Sequence, residues 1–274
     1  MAEKPTWKVL ARELTGWELM RRVKDGHDIA LLPVGSVEMH GPQLPLGCDT
    51  YIAEAVCHLA ATEMQGTVFD TVSYTWPGMT KYSKPTVSMT MDMETRYTRM
   101  VCDQLARNGL RRIYVVQFHG PGIALMRLAR EFFEETGVPL AFYGLMRMPD
   151  DGRKECAEAG VHWEASLCAA AARLLGYDAT IDPAAWDQAE EVPPVPGGRA
   201  RATISRSGAL IGGLGTDDRH HGAFREKVDE ALGMLALRKL TACITSTADA
   251  MAELRDAWNG RDLPESWPSA ISGD

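Results

Sequence analysis

Apolar positions along this chain alternate between short β-rich runs and longer stretches with helical spacing. Ile29–Val34 (IALLPV) is an unbroken apolar run of strand length, and Pro33 marks its approaching end. Residues 51–64 (YIAEAVCHLAATEM) combine helix formers with apolar positions three and four apart, which predicts a helix. A second strand is predicted over 67–74. A helix over 91–108 is closed by Asn108-Gly109, a C-terminal stop signal. The β-branched and aromatic run over 112–118 suits a strand buried on both faces. Next come a helix at Ile123–Thr136, a strand over 139–145 and a helix at Trp163–Leu175, and a long amphipathic helix is predicted from 222 to about 240.

Strand and helix in turn, at this spacing, predict an α/β fold: a single-domain, mostly parallel sheet flanked by helices on both faces. No repeat of solenoid length and no low-complexity tract interrupts the pattern. The Pro/Gly/acid-rich stretch near 182–201 (DPAAWDQAEEVPPVPGGR) reads as a surface loop within one domain spanning 1–274. The chain beyond that stretch is too short and too weakly apolar to fold alone.

Charge narrows the partners. The chain has 274 residues, 29 Lys+Arg against 37 Asp+Glu, and a net charge of -8. That balance argues against a sequence-independent grip on nucleic acid, which needs clustered cations, and against an anionic membrane surface. The N-terminus lacks an apolar signal core, and no run approaches the roughly 18 apolar residues of a spanning helix. The six cysteines are scattered without a CxxC pair, so reduced thiols and a cytoplasmic location are expected.

The chemistry concentrates where strands end. In open parallel sheets, ligand-binding groups sit beyond the carboxyl ends of the strands. Ile29–Val34 runs into GSVEMHGPQLPLGCDT, which carries Glu38, His40 and Asp49. Glu-x-His puts two ligands on the same side of an extended segment. The strand over 112–118 delivers His119 at the same end. Each residue alone is unremarkable, since loop carboxylates are usually solvated and a histidine after a strand is often structural. Together they suit divalent metal, because carboxylate can bridge two ions and imidazole takes zinc or manganese.

The run VGSVEMHGPQLPLGCDTYIAEA resembles the leading motif of the creatininase (creatinine amidohydrolase) family, approximately VGSxEQHGPHLPLGTDT, and weaker agreement extends over most of 28–240. The resemblance implies a mostly parallel α/β fold, a centre of two divalent ions (Zn2+ and/or Mn2+), hydrolysis of C–N bonds and frequently a hexamer. Residue by residue, it implies Glu38 and His119 as ligands of one metal, His40 as a ligand of the other, and Asp49 as the bridging carboxylate. A last ligand is supplied in many members by a glutamate in an HAGxxETS-like segment, matched here by Glu164 in AGVHWEAS. Creatininase itself takes that glutamate two residues after the strand-terminal histidine, where this chain has Pro121.

The departures bear on substrate. The family's NGHGGN loop is QFHGPG here, and its GxSxEHxxFPGT segment appears as WPGMTKYSKPT, with Lys81-Tyr82 in place of Glu-His. The residues by which creatininase contacts its substrate are not reproduced, so creatinine is not the expected substrate. The expected activity is metal-dependent hydrolysis of a small cyclic amide or a related ureido or guanidino compound. Lys81, Tyr82 and His162 are the candidates to stabilise the tetrahedral intermediate or protonate the leaving nitrogen. Alternatives are a deformylase or peptide-trimming relative acting on a linear amide, a metal-binding homologue without hydrolysis, and a Cys48 nucleophile. The pair His220-His221 reads as a solvated helix start or a pocket element. A homo-oligomer, hexameric by resemblance, is expected.

Overall fold

The structure, a computed structural model, describes residues 7–120, 122–188, 200, 203–204, 206–207 and 224–258. Four parallel strands, β1 (Ile29–Val34), β2 (Thr67–Val68), β3 (Arg112–Gln117) and β4 (Leu140–Gly144), form one sheet in the order β2-β1-β3-β4. Among the described residues the helices include α1 (Gly16–Lys24), α2 (Cys48–Met64), α3 (Met91–Arg107), α4 (Ile123–Thr136), α5 (Arg153–Glu158), α6 (Trp163–Leu175), α7 (Glu230–Thr245) and α8 (Ala248–Trp258).

Period-two alternation sends successive strand residues to opposite faces, and both faces are covered. Ile29 and Leu31 of β1, with Tyr114 and Val116 of β3, enter a core with α2, α6 and α7. Ala30, Leu32 and Val34, with Ile113 and Val115, enter a second core with α3 and α4. All six residues of β1 are buried, which is why that stretch of sequence reads as continuously apolar.

Three elements differ from the sequence expectation. The strand expected over 67–74 is only two residues long, and Val72 rejoins Val34 as an isolated parallel bridge. The carbonyls of Leu31 and Pro33 both accept from this side of the sheet, from Phe69 and Val72. Pro33 faces the same neighbour without an N–H, so the ladder loses a donor where β2 stops. Second, α2 begins at Cys48, three residues earlier than its apolar pattern suggests, because Gly47 provides the N-cap. Third, the helix expected from 222 begins at Glu230, where the Asp229 side chain accepts from the backbone N–H groups of Ala231 and Leu232. Most of the loop near 182–201, and the His220-His221 pair, lie outside the described residues.

The strand order places the reversal of winding between β1 and β3. Val34 and Gln117, register partners at the carboxyl ends of these two strands, open onto one crevice. Both metal-type segments of the sequence leave the sheet there.

Candidate metal centre

Gly35 starts the loop that leaves β1. A Cβ on it would lie 2.4 Å from the Thr50 Cα, so only glycine lets the loop pass directly over the first turn of α2. Gly41 then turns the chain at a φ of 70°. Between them, Glu38 and His40 point into the crevice, with 4% and 3% of their surface exposed. Asp49 joins them from the second residue of α2, and Glu164 from the second residue of α6. His119 stands two residues beyond the end of β3.

The five side chains predicted as ligands converge. The Asp49 carboxylate stands between the two imidazoles, its Oδ1 3.3 Å from His40 Nε2 and its Oδ2 3.1 Å from His119 Nδ1. Glu38 Oε1 is 3.5 Å from His119 Nδ1 and 3.9 Å from His40 Nε2, while Glu164 Oε1 lies 4.0 Å from His40 Nε2. Two groups of potential donors result: Glu38, Asp49 and His119, and His40, Cys48 and Glu164.

The outer nitrogen of each imidazole fixes what the inner one can do. His40 Nδ1 is 3.1 Å from the Glu38 carbonyl, and His119 Nε2 is 3.1 Å from the Trp76 carbonyl. A carbonyl only accepts, so both outer nitrogens donate. When neutral, each ring therefore turns a lone pair toward carboxylates, an arrangement that requires a cation between them, whether proton or metal. Burial alone would lower both imidazoles. The Asp49 charge and hydrogen bonds, with Glu38 and for His40 also Glu164, outweigh it and hold His40 at about 10 and His119 at about 9. Asp49 is pushed up by burial but brought down to about 2 by the two histidines. Glu38 and Glu164 are raised, chiefly by burial and, among the charges, by the Asp49 carboxylate. Buried carboxylates sharing imidazoles in this way are the donor chemistry of a divalent-metal site, and the residues fit such ions.

Supporting contacts come from residues that sequence reasoning does not single out. Thr80 Oγ1 donates to Glu38 Oε2 at 2.7 Å, and Ser36 Oγ lies 3.3 Å from the same oxygen. Buried Glu94 accepts from the Trp76 N–H at 3.0 Å and from Gln117 Nε2 at 3.2 Å, which ties down the residue whose carbonyl meets His119. Buried Gln43 donates to the carbonyls of Pro183 and Phe224 and accepts from the Phe224 N–H, joining the ligand loop to a segment 181 residues away. An uncharged residue with no periodic signature gives no warning of such a role.

The three residues proposed to act on substrate fall differently. Lys81 and Tyr82 belong to the short 3-10 helix Gly78–Tyr82, whose Thr80 touches Glu38; the Tyr82 side chain lies outside the described residues. His162 is the N-cap of α6. Its Nδ1 accepts from the Ala165 N–H at 3.2 Å, and its ring stacks on Phe224 with centroids 4.2 Å apart. Burial lowers its pKa, so the cap works as a neutral acceptor. Cys48 is fully buried, and burial and its Cys168 partner push its thiol well up, which is the opposite of an activated nucleophile.

Known proteins share the fold that carries this arrangement. Residues 12–235 match the family described as creatininase, creatinine amidohydrolase. Over 116 residues the chain is 28% identical to a creatinine amidohydrolase of Pseudomonas putida, a match covering 40% of this chain and 45% of that protein. Over 36 residues it is 58% identical to a mycofactocin precursor peptide peptidase of Mycobacterium ulcerans (strain Agy99), covering 13% and 14%. The matched segments thus span less than half of either curated relative. A solved creatinine amidohydrolase (creatininase) superposes with a TM-score of 0.64 at 20% identity, covering 89% of this chain and 97% of that one. Similar solved creatininases include a manganese form and a mutant of Zn-Zn type.

Proposed function

The chain belongs to the creatininase family, and from that premise we propose that it is a hydrolase dependent on two divalent metal ions, zinc or manganese, that cleaves a C–N bond of a small cyclic amide or a related ureido or guanidino compound. The observation that carries this reading is the Asp49 carboxylate, with one oxygen toward His40 and the other toward His119. Glu38, Asp49 and His119 would hold one ion, and His40, Asp49 and Glu164 the other. When bound, such ions supply Lewis acidity to water and to a carbonyl or imine oxygen.

The chain's own residues do the rest. The backbone carbonyls of Glu38 and Trp76 fix the two imidazoles in the tautomers that ligation needs. Thr80 and Ser36 hold one oxygen of Glu38 and leave the other facing His119. Glu164 has 19% of its side chain exposed against 2 to 5% for Glu38, His40, Asp49 and His119, so it marks the mouth through which substrate enters. Lys81 and Tyr82, in the turn that carries Thr80, are the proposed donors to the leaving nitrogen. His162 serves as a positioning residue through the start of α6.

A linear amide is the second reading, favoured by the short, dense match to a peptide-trimming relative. The experiment is metal analysis of the purified protein coupled to a hydrolysis screen of cyclic amides, ureido and guanidino compounds, formamides and peptides. Two ions per chain with turnover of the cyclic or ureido class supports the first reading. Turnover confined to formamides or peptides supports the second, and retention of no metal defeats both. A closed homo-oligomer, hexameric by family, completes the proposal. Met93, Tyr97 and Met100 form a half-exposed stripe on α3 suited to a subunit contact. Light scattering that gives a monomer at micromolar concentration would contradict it.

A further inference from the structure

Cys48 stands where the family motif has threonine, and its surroundings differ from those of the other buried thiols. Among the described residues, its Sγ joins one donor atom each from His40 and Glu164 in a group whose members all lie within 4.8 Å of one another. Asp49 Oδ1 is 3.3 Å from His40 Nε2. One nitrogen, one sulfur and one carboxylate oxygen therefore lie together, with an Asp49 oxygen beside the imidazole. The Glu38, Asp49 and His119 group offers one nitrogen and oxygens only.

We propose that Cys48 is a sulfur ligand of the His40 subsite, which would give that subsite a nitrogen, sulfur and oxygen donor set selective for zinc over manganese. The inference rests on the two-metal reading and deepens it. Cys48 is the first residue of α2, with 0% exposure, so its side chain is held by helix and core together. On coordination the S–H bond gives its proton to solvent and sulfur donates the freed pair to the ion. Thiolate favours zinc, whereas the oxygen-rich Glu38 subsite has no sulfur to add to that bias and suits manganese better than its neighbour does. A sulfur ligand would fill one more coordination position at the His40 subsite than at the Glu38 subsite, which would stay the more open of the two. The two ions would then have distinct tasks, one anchoring the centre and the other meeting the substrate.

X-ray absorption at the zinc edge, on the full chain loaded with zinc alone, tests this. The expected spectrum has a sulfur shell at about 2.3 Å beside nitrogen and oxygen at about 2.0 Å. The sulfur shell should vanish in Cys48→Ser and persist in Cys168→Ser. Zinc preference over manganese, from competition dialysis, should fall by about 10-fold or more in Cys48→Ser. A wild-type spectrum of bound zinc with nitrogen and oxygen only overturns the sulfur ligand and leaves the two-metal reading standing. Persistence of the sulfur shell in Cys48→Ser overturns it as well. A protein that retains no zinc overturns both. The wild-type spectrum decides even where the serine variant fails to fold.

Discussion

Asp49 shows at the scale of one residue what the candidate centre requires. Its two oxygens address two imidazoles, so Asp49→Asn should abolish retention of both ions. His40→Ala and His119→Ala should each lose one, as read by elemental analysis after gel filtration. The protons say the same. His40 at about 10 and His119 at about 9 lie above an unfolded imidazole near 6.5. Raised pKa values mean that their pairing with Asp49 stabilises the metal-free fold fully below that unfolded value. The contribution is then lost as pH rises through about 9 to 10. Chelator-treated protein should therefore resist urea better at about pH 7 than at about pH 10. Divalent metal, which displaces those protons, should release them into buffer at neutral pH and flatten the dependence. Proton release can be counted by calorimetry in buffers of differing ionisation enthalpy; none at neutral pH would contradict the assignment. Glu38, His40, Asp49 and His119 are legible because their residue types and spacing already speak of ligation. Glu94, Thr80 and Gln43 are not, because a carboxylate, a hydroxyl and an amide at unpatterned positions acquire meaning only from the backbone groups they meet.

At the scale of elements, the strand-plus-helix plan is readable because burial on two faces forces apolar runs and helical stripes. The ends are harder. Asp49 reads as a loop residue since the apolar pattern of α2 starts only at Tyr51, whereas Gly47 lets the helix begin at Cys48. Helix α7 crosses α6 at a place the sequence does not advertise. A Cβ on Gly233 would lie 1.9 Å from the Ser166 carbonyl oxygen, and Ser166 Oγ itself accepts from the Asp229 N–H. Gly233→Ala should cost about 1–3 kcal/mol or more in denaturant unfolding, because the two backbones have to part. It should also weaken metal retention, since Glu164 rides on the displaced helix. Gln43→Ala would orphan the buried polar groups of Phe224 that the amide satisfies. A loss of about 1–3 kcal/mol is expected by the same measurement.

For the molecule as a whole, the candidate ligands come from three distant stretches of chain: the loop after β1 with the start of α2, the end of β3, and α6. Ions bound there would clasp the carboxyl edge of the sheet to the helices that cover it. Anything that binds only the folded state stabilises it by mass action, about 2.7 kcal/mol at a hundredfold excess over Kd. Chelation should accordingly lower Tm by roughly 5–10 °C in a chain of this size, and zinc or manganese should restore it. A Tm indifferent to chelator and metal would show that the buried cluster folds the protein without ions.

Asp49 and Glu164 share a position: each is the second residue of its helix. The macrodipoles of α2 and α6 thus present their positive ends to the same crevice, each equivalent to roughly half an elementary charge. Such fixed dipoles cannot be stripped by a chelator or titrated away. Before any ion arrives they ease the crowding of carboxylates. Once cations are present they add to the same positive field, and what that field then favours is an anion: a group that gains negative charge as it reacts enters a site already polarised to receive it.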